Sequence, residues 1–160
     1  MKFKQTIILS AALTGVAFGA AAAAAHLTPH RLRTEHIENP TVIDTRAPRL
    51  SWVNTPSSSS LKNASQSAYR LVVASSPEKL DKGEFDVWDS GKRLSADSYL
   101  VSYEGAPLAD GADYFWRVMV WDEKGNPSKW SETASWGMGF TDSARWKAGW
   151  IGAPWQGEDH

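Results

Sequence analysis

The side chains in this sequence best suited to chemistry are acidic. Asp86, Asp89, Asp110, Asp113 and Asp122 recur through its second half. Two carboxyl groups held roughly 6.5 to 9.5 Å apart, one protonated and one ionised, can hydrolyse a glycosidic bond by general acid and general base action. These five lie beside glycine at strand ends or in polar turns, where Asp is favoured because its carboxylate accepts backbone N–H groups. A lone small β-domain also has no deep cleft in which desolvation would raise one acid. The turn reading therefore leads, and no catalytic residue is assigned.

A second cluster, His26, His30 and His36 with Glu35 and Glu38, has ligand-type side chains. Pro29 prevents a regular helix from stacking His26 on His30, and no thiol or further His completes a ligand set, so no metal site and no cofactor are expected. A solvated terminus is the better reading. No Gly-x-Ser-x-Gly elbow supports a Ser nucleophile, and no glycine-rich phosphate loop is present. Nine tryptophans remain. Trp121, Trp130 and Trp155 are of the type that stacks on sugar rings, although Trp130, just after the Gly125 turn, fits packing against a neighbouring strand as well. Contact with another domain ranks first for this group, strand packing second and sugar binding third.

The element that positions these residues is Tyr114 to Trp121. Read with period two, Tyr114, Trp116, Val118 and Val120 share one face and Phe115, Arg117, Met119 and Trp121 the other, which is a strand pattern. The first face is core. The second is too aromatic for a wet face and too polar, through Arg117, for a second full core, so it should half-bury against something outside the sandwich. Leu108 and Gly111 before Tyr114 read as a tyrosine corner, in which the phenol bonds back to the preceding crossover.

Other strands are expected at Leu32 to Ile37, Arg46 to Asn54, Ser67 to Ser75, Val87 to Gly91, Ser98 to Tyr103 and Ala134 to Phe140, the last with Trp136, Met138 and Phe140 facing inward. Leu50 and Trp52 should alternate with outward Ser51 and Val53, and Trp52, Tyr69, Leu71, Trp116, Val118 and Trp136 should be deeply buried. Glu78 to Leu80 suits one helical turn, and Thr55 to Ser65, with its serine run, suits a mobile loop. These elements make an all-β sandwich of about seven strands over residues 26–140.

The flanks differ in character. Lys2 and Lys4, the apolar run from Ile7 and the alanines Ala20 to Ala25 read as a signal peptide over residues 1–25, with an uncleaved anchor as the rival, so the chain is expected to be exported to the periplasm or beyond. Residues 141–160 read as a linker and the first strand of a second domain. Phe115, Met119, Trp121, Trp146, Trp150 and Trp155 are the expected domain interface. A net charge of −1 gives no case for nucleic acid or for a membrane surface, and the absence of cysteine excludes disulfides and thiol chemistry.

Pro48-Arg49-Leu50-Ser51-Trp52, Gln66 to Ala74, Val87-Trp88-Asp89-Ser90-Gly91-Lys92, Tyr114 to Val118 with Val120-Trp121-Asp122, Trp130-Ser131-Glu132, Met138-Gly139 and Trp146 to Gly152 together resemble the amino-terminal region of secreted bacterial α-L-rhamnosidases, glycoside hydrolase family 78. The resemblance runs from about Leu32 to Gly152. It implies a fibronectin type III-like module that precedes further β-domains and an (α/α)6 barrel, whose acidic residues hydrolyse terminal α-L-rhamnosides with inversion. No position here corresponds to that barrel, so its acid and base are carried onto no residue. The implied role is a non-catalytic accessory module, with the downstream domains as partners and rhamnose-containing glycans as possible ones. A free-standing carbohydrate-binding module and a protein-interaction sandwich unrelated to sugars are the alternatives.

Overall fold

The structure, a computed structural model, describes residues 27–58 and 63–140. Seven strands appear in the order β1 (Leu27–Thr34), β2 (Arg49–Pro56), β3 (Gln66–Ala74), β4 (Trp88–Asp89), β5 (Val101–Ser102), β6 (Asp113–Asp122) and β7 (Ala134–Gly137). They form two antiparallel sheets, β1-β2-β5 and β4-β3-β6-β7, packed face to face as an immunoglobulin or fibronectin type III-like sandwich. The main strand lies mid-sheet: β6 pairs with β3 from Gln66↔Asp122 to Ala74↔Phe115 and with β7 from Asp113↔Gly137 to Trp116↔Ala134.

Between the sheets, Leu50, Trp52, Leu71, Val73, Tyr114, Trp116, Val118, Val120 and Trp136 form one apolar core. Tyr114 makes the corner that its sequence position suggests, its hydroxyl accepting the Ala109 N–H at 2.8 Å. One buried polar side chain ties the sheets together. Gln66 Oε1 accepts from Trp52 Nε1 at 3.0 Å and Asn54 Nδ2 at 2.8 Å, while its amide nitrogen donates to the Ser95 and Asp97 carbonyls. A buried amide with all four of its bonds made fixes the register of the elements it joins.

The β7 side of β6 is built in two ways. Its first half pairs with β7 backbone to backbone. Beyond Trp116 the neighbour is the irregular segment 127–132. Ser128 and Ser131 each exchange bonds with the strand there: their N–H groups donate to the Val120 and Val118 carbonyls, and their hydroxyls accept the Val120 and Val118 N–H groups at 3.1 Å. Side-chain oxygens thus stand in for missing ladder carbonyls.

Several sequence expectations are corrected in detail. The first strand begins at Leu27, not Leu32, and ends at Thr34. A bulge between His30 and Arg33, with Arg31 at φ 50°, switches the inward positions from Leu27 and Pro29 to Leu32 and Thr34, so no single alternation marks the strand. Ser51 is buried rather than outward, because Leu100 folds over it and donates its N–H to the Ser51 hydroxyl at 2.9 Å. Tyr69 is only half-buried, since it opens onto a surface cleft described below. Phe140 faces solvent at 63% exposure. Past Gly137 the chain runs beyond the end of β6, where Met138 bonds to Gly111 and Ala112 and Gly139 takes up Ile43 on the other side, and a Cβ at Gly137 would fall 2.1 Å from the Thr41 carbonyl oxygen. The strand phase ends there. The expected mobile loop lies partly outside the described residues, and β2 continues as far as Pro56. The helical turn is real and somewhat longer: α1 (Pro77–Lys82) is capped by the Ser76 hydroxyl and closed by Gly83 at φ 77°.

Candidate functional site

On the outer face of the four-stranded sheet, Phe115, Arg117, Met119 and Trp121 are all half-buried, as their alternation requires. What covers them belongs largely to this chain. Phe115 packs with Val72, Ala74, Leu80, Phe85 and Trp130 in a second, smaller apolar cluster roofed by α1. Arg117 donates from Nε to Thr133 Oγ1 at 2.7 Å and from its terminal nitrogen to Asp81 of the helix. Arg70, beside Met119 in the sheet, grips Asp89 with two nitrogens at 2.9 and 2.6 Å. Its guanidinium lies 5.6 Å from the Phe85 ring centre and 5.9 Å from that of Trp130. Trp121 carries the Lys92 ammonium 4.5 Å from its ring centre. Trp130 is thus packed on Phe85 and Arg70, and Trp121 presents a ring already under a cation. Trp146, Trp150 and Trp155 lie outside the described residues.

The five aspartates separate by partner. Asp122 is fully buried, accepting the Lys124 and Asn126 N–H groups at 2.9 Å and the Asn126 amide at 3.1 Å, which shapes the turn around Gly125. Asp89 joins its Arg70 pair to the Gly91 N–H. The Arg70 bonds hold its carboxyl below the usual range against the opposing effect of burial. Asp86 accepts from the Ser75 N–H and hydroxyl and from Lys79 Nζ. Burial pushes that acid up, yet these donors outweigh it and leave it at about 2. Asp110 is paired with Arg46 at 3.1 Å, and Asp113 stands exposed at the start of β6. Asp86 and Asp89 are depressed, partnered carboxylates that hold loops, the opposite of the raised proton affinity that a general acid needs.

The histidine cluster is likewise dispersed. His30 bonds Thr55, His36 lies 3.4 Å from the Tyr99 hydroxyl, and Glu38 pairs with Arg33 at 3.5 Å. Glu35 is lowered by its bonds to Arg49. His26 lies outside the described residues, and among those described no group of three His, Asp or Glu is placed to hold a metal.

One surface feature is not legible in the sequence. Where β3 and β4 meet the approach to β5, Tyr69, Trp88 and Tyr99 line a cleft of about 270 Å³ together with Arg93, Asp97 and Glu104. Its aromatics come from three separate segments, and the sequence pattern places Tyr69 in the core. Leu100, at φ 54°, turns the chain between Tyr99 and β5. A bulky residue in that region is uncommon.

Residues 29–142 match the family described as the Rha78A-like, N-terminal immunoglobulin domain. An α-L-rhamnosidase of Streptomyces avermitilis is 45% identical over 120 residues, which are 75% of this chain and 11% of that protein. One from Formosa agariphila is 41% identical over 114 residues, covering 71% of this chain and 12% of its own length. Among solved structures, the S. avermitilis α-L-rhamnosidase complexed with L-rhamnose superposes with a TM-score of 0.74 at 42% identity, over 80% of this chain and 12% of that one. The Dictyoglumus thermophilum α-L-rhamnosidase gives 0.71 at 36% identity, over 76% and 13%. The chain therefore spans about an eighth of the relatives it matches. On sequence and fold alike the chain belongs to the Rha78A-like N-terminal immunoglobulin domain family.

Proposed function

We propose that this chain is a non-catalytic accessory module of an exported α-L-rhamnosidase, holding the domains that follow it in fixed relation while they perform the hydrolysis. The observation that carries this reading is the coverage: the relatives are α-L-rhamnosidases, and the match takes in most of this chain but about an eighth of each of them. The partnered, acid-shifted aspartates agree with it, since a hydrolase of this class needs one carboxyl that stays protonated. The leader-like residues 1–25 support export, and no described helix is long and apolar enough to cross a membrane. The contact surface in this reading is Phe115, Met119 and Trp121 with Trp146, Trp150 and Trp155. Half-covered aromatics on a strand's outer face, followed by a tryptophan-rich segment, are suited to packing on a neighbouring domain.

Purified chain incubated with an aryl α-L-rhamnoside should release no aryl alcohol. Turnover that disappears when a single Asp or Glu is replaced would overturn the accessory reading. On the interface, Trp121→Ser should change self-association or hydrophobic-dye binding at an unchanged denaturation midpoint. An unaltered monomer with no dye binding before or after the change would exclude that surface.

A further inference from the structure

The cleft beside Tyr69 is built in a way that turns and packing do not require. Two of its rings are fixed from behind. Tyr69 stands edge-on to Trp52 at 5.3 Å, and Trp88 meets Tyr103 edge-on at 5.1 Å. Behind Trp88 the backbone comes so close that a Cβ on Gly105 would fall 2.6 Å from the Trp88 Cβ. Tyr99 projects from the rim at 66% exposure, tilted against His36 at 5.9 Å. Rings held by a core on one side and open on the other keep their orientation without a ligand, so little ordering cost falls on binding.

The polar groups are fixed too. Arg93 exchanges main-chain bonds with Tyr69 at 2.9 and 2.8 Å, donates from Nε to the Ser90 carbonyl at 3.0 Å and reaches Glu104 Oε2 at 3.1 Å. Asp97 is held by Ser95 through its N–H and Oδ2. Glu104 Oε1, Asp97 Oδ1 and the Tyr69 hydroxyl have no hydrogen-bond partner among the described residues. Burial, the largest influence on that hydroxyl, raises its pKa, so it remains a neutral donor and acceptor.

We propose that this cleft binds one neutral pyranose unit of a glycan chain. A sugar ring has an apolar C–H face, which suits Tyr69, Trp88 and Tyr99, and hydroxyls that both donate and accept. Two carboxylate oxygens, a phenol and a guanidinium supply the complementary set. The lining carries one positive and two negative charges, which disfavours uronates and phosphorylated ligands. Its volume, about 270 Å³, is below the ~300 to 1,000 Å³ of pockets that enclose drug-sized ligands and has room for one ring rather than a chain. The choice of rhamnoside as first probe rests on the accessory reading above; the cleft's chemistry does not.

The test is saturation-transfer NMR on the full chain with methyl α-L-rhamnoside, methyl α-D-glucoside and D-glucuronate at millimolar concentrations. Saturable binding of a neutral glycoside, weaker for the uronate, is expected. Tyr99→Ala should weaken it by about tenfold. Tyr69→Phe should weaken it several-fold at an unchanged denaturation midpoint, and Trp121→Ser should leave it intact. Glucoside binding without rhamnoside binding supports the cleft and counts against a rhamnoside-directed role for the module. Absence of saturable binding by both neutral glycosides, or binding that survives both tyrosine substitutions, overturns the proposal.

Discussion

The two faces of β6 are made of similar residues and held by different physics. Inward, Tyr114, Trp116, Val118 and Val120 enter a single core between two sheets, where each buried side chain is stabilised by the area it removes from water. Outward, Phe115, Arg117, Met119 and Trp121 stop at half burial, with Phe115 and Arg117 beneath one short helix and one tryptophan-bearing segment and Trp121 beneath Lys92. Polar clamps fasten that cover: Arg117 to Asp81, Arg70 to Asp89, and Lys79 with Ser75 to Asp86. A face closed by dispersion and desolvation does not depend on the ionisation or screening of charges. One closed by surface ion pairs does.

The comparison is sharpest at Trp116, which is fully buried and whose indole N–H has no acceptor among the described residues. Its contribution is therefore volume rather than hydrogen bonding. Trp116→Ala should cost about 3 to 5 kcal/mol, a large share of the ~5 to 15 kcal/mol that holds a domain of this kind, whereas Trp116→Phe should cost far less. Denaturant midpoints of the two variants decide it. A Trp116→Ala protein with an unchanged midpoint would mean that the inner face is not the core.

That contrast was legible in the sequence because β6 keeps strict alternation through all of Tyr114 to Trp121, and both faces lie where period two puts them. Legibility failed where the backbone changed phase or partner. The bulge at Arg31 hid the start of β1, and Phe140 left its expected face because the chain after Gly137 runs past the end of β6 and takes up Ile43 as a further partner. The identity of the cover was also out of reach. Half burial of Phe115 and Arg117 follows from residue type, but that α1 supplies the roof depends on Leu80 and Asp81 arriving there by tertiary folding. The same holds for the cleft, whose three aromatics belong to segments that no local pattern brings together.

A middle-sized effect is expected where the faces meet at the strand's edge. Ser131 accepts the buried Val118 N–H at 3.1 Å while holding the segment that delivers Trp130 to the outer cluster. Ser131→Ala leaves that N–H unpaired, a loss of about 1 to 3 kcal/mol. It should release Trp130 without disturbing Trp116. Faster hydrogen exchange at Val118, with a shifted Trp130 indole N–H resonance in the NMR spectrum, would bear this out. Unchanged exchange there would show that Ser131 is not needed to close the ladder.

The smallest effect should separate the faces by acid. Asp86 titrates at about 2 in the folded protein, below the ordinary Asp value of ~3.9. A folded-state pKa below the unfolded one gives stability that is fully present above the unfolded value and is lost as pH falls through the folded one. Asp86 receives the Ser75 N–H at the end of β3 and Lys79 Nζ from α1, so its protonation loosens the helix's hold on the outer face and leaves the inner core untouched. The group is exposed enough that solvent screens most of the gain, so the global midpoint should move little. Amide exchange is the better probe. Between about pH 4 and pH 2, protection within α1 and at Ser75 should fall while that of Val118 and Val120 holds, and Asp86→Asn should abolish the pH dependence at Ser75. An Asp86 carboxyl that titrates near 3.9 by NMR, or a helix that keeps its protection down to pH 2, would place the outer cover on the same apolar footing as the core and remove the distinction between the two faces.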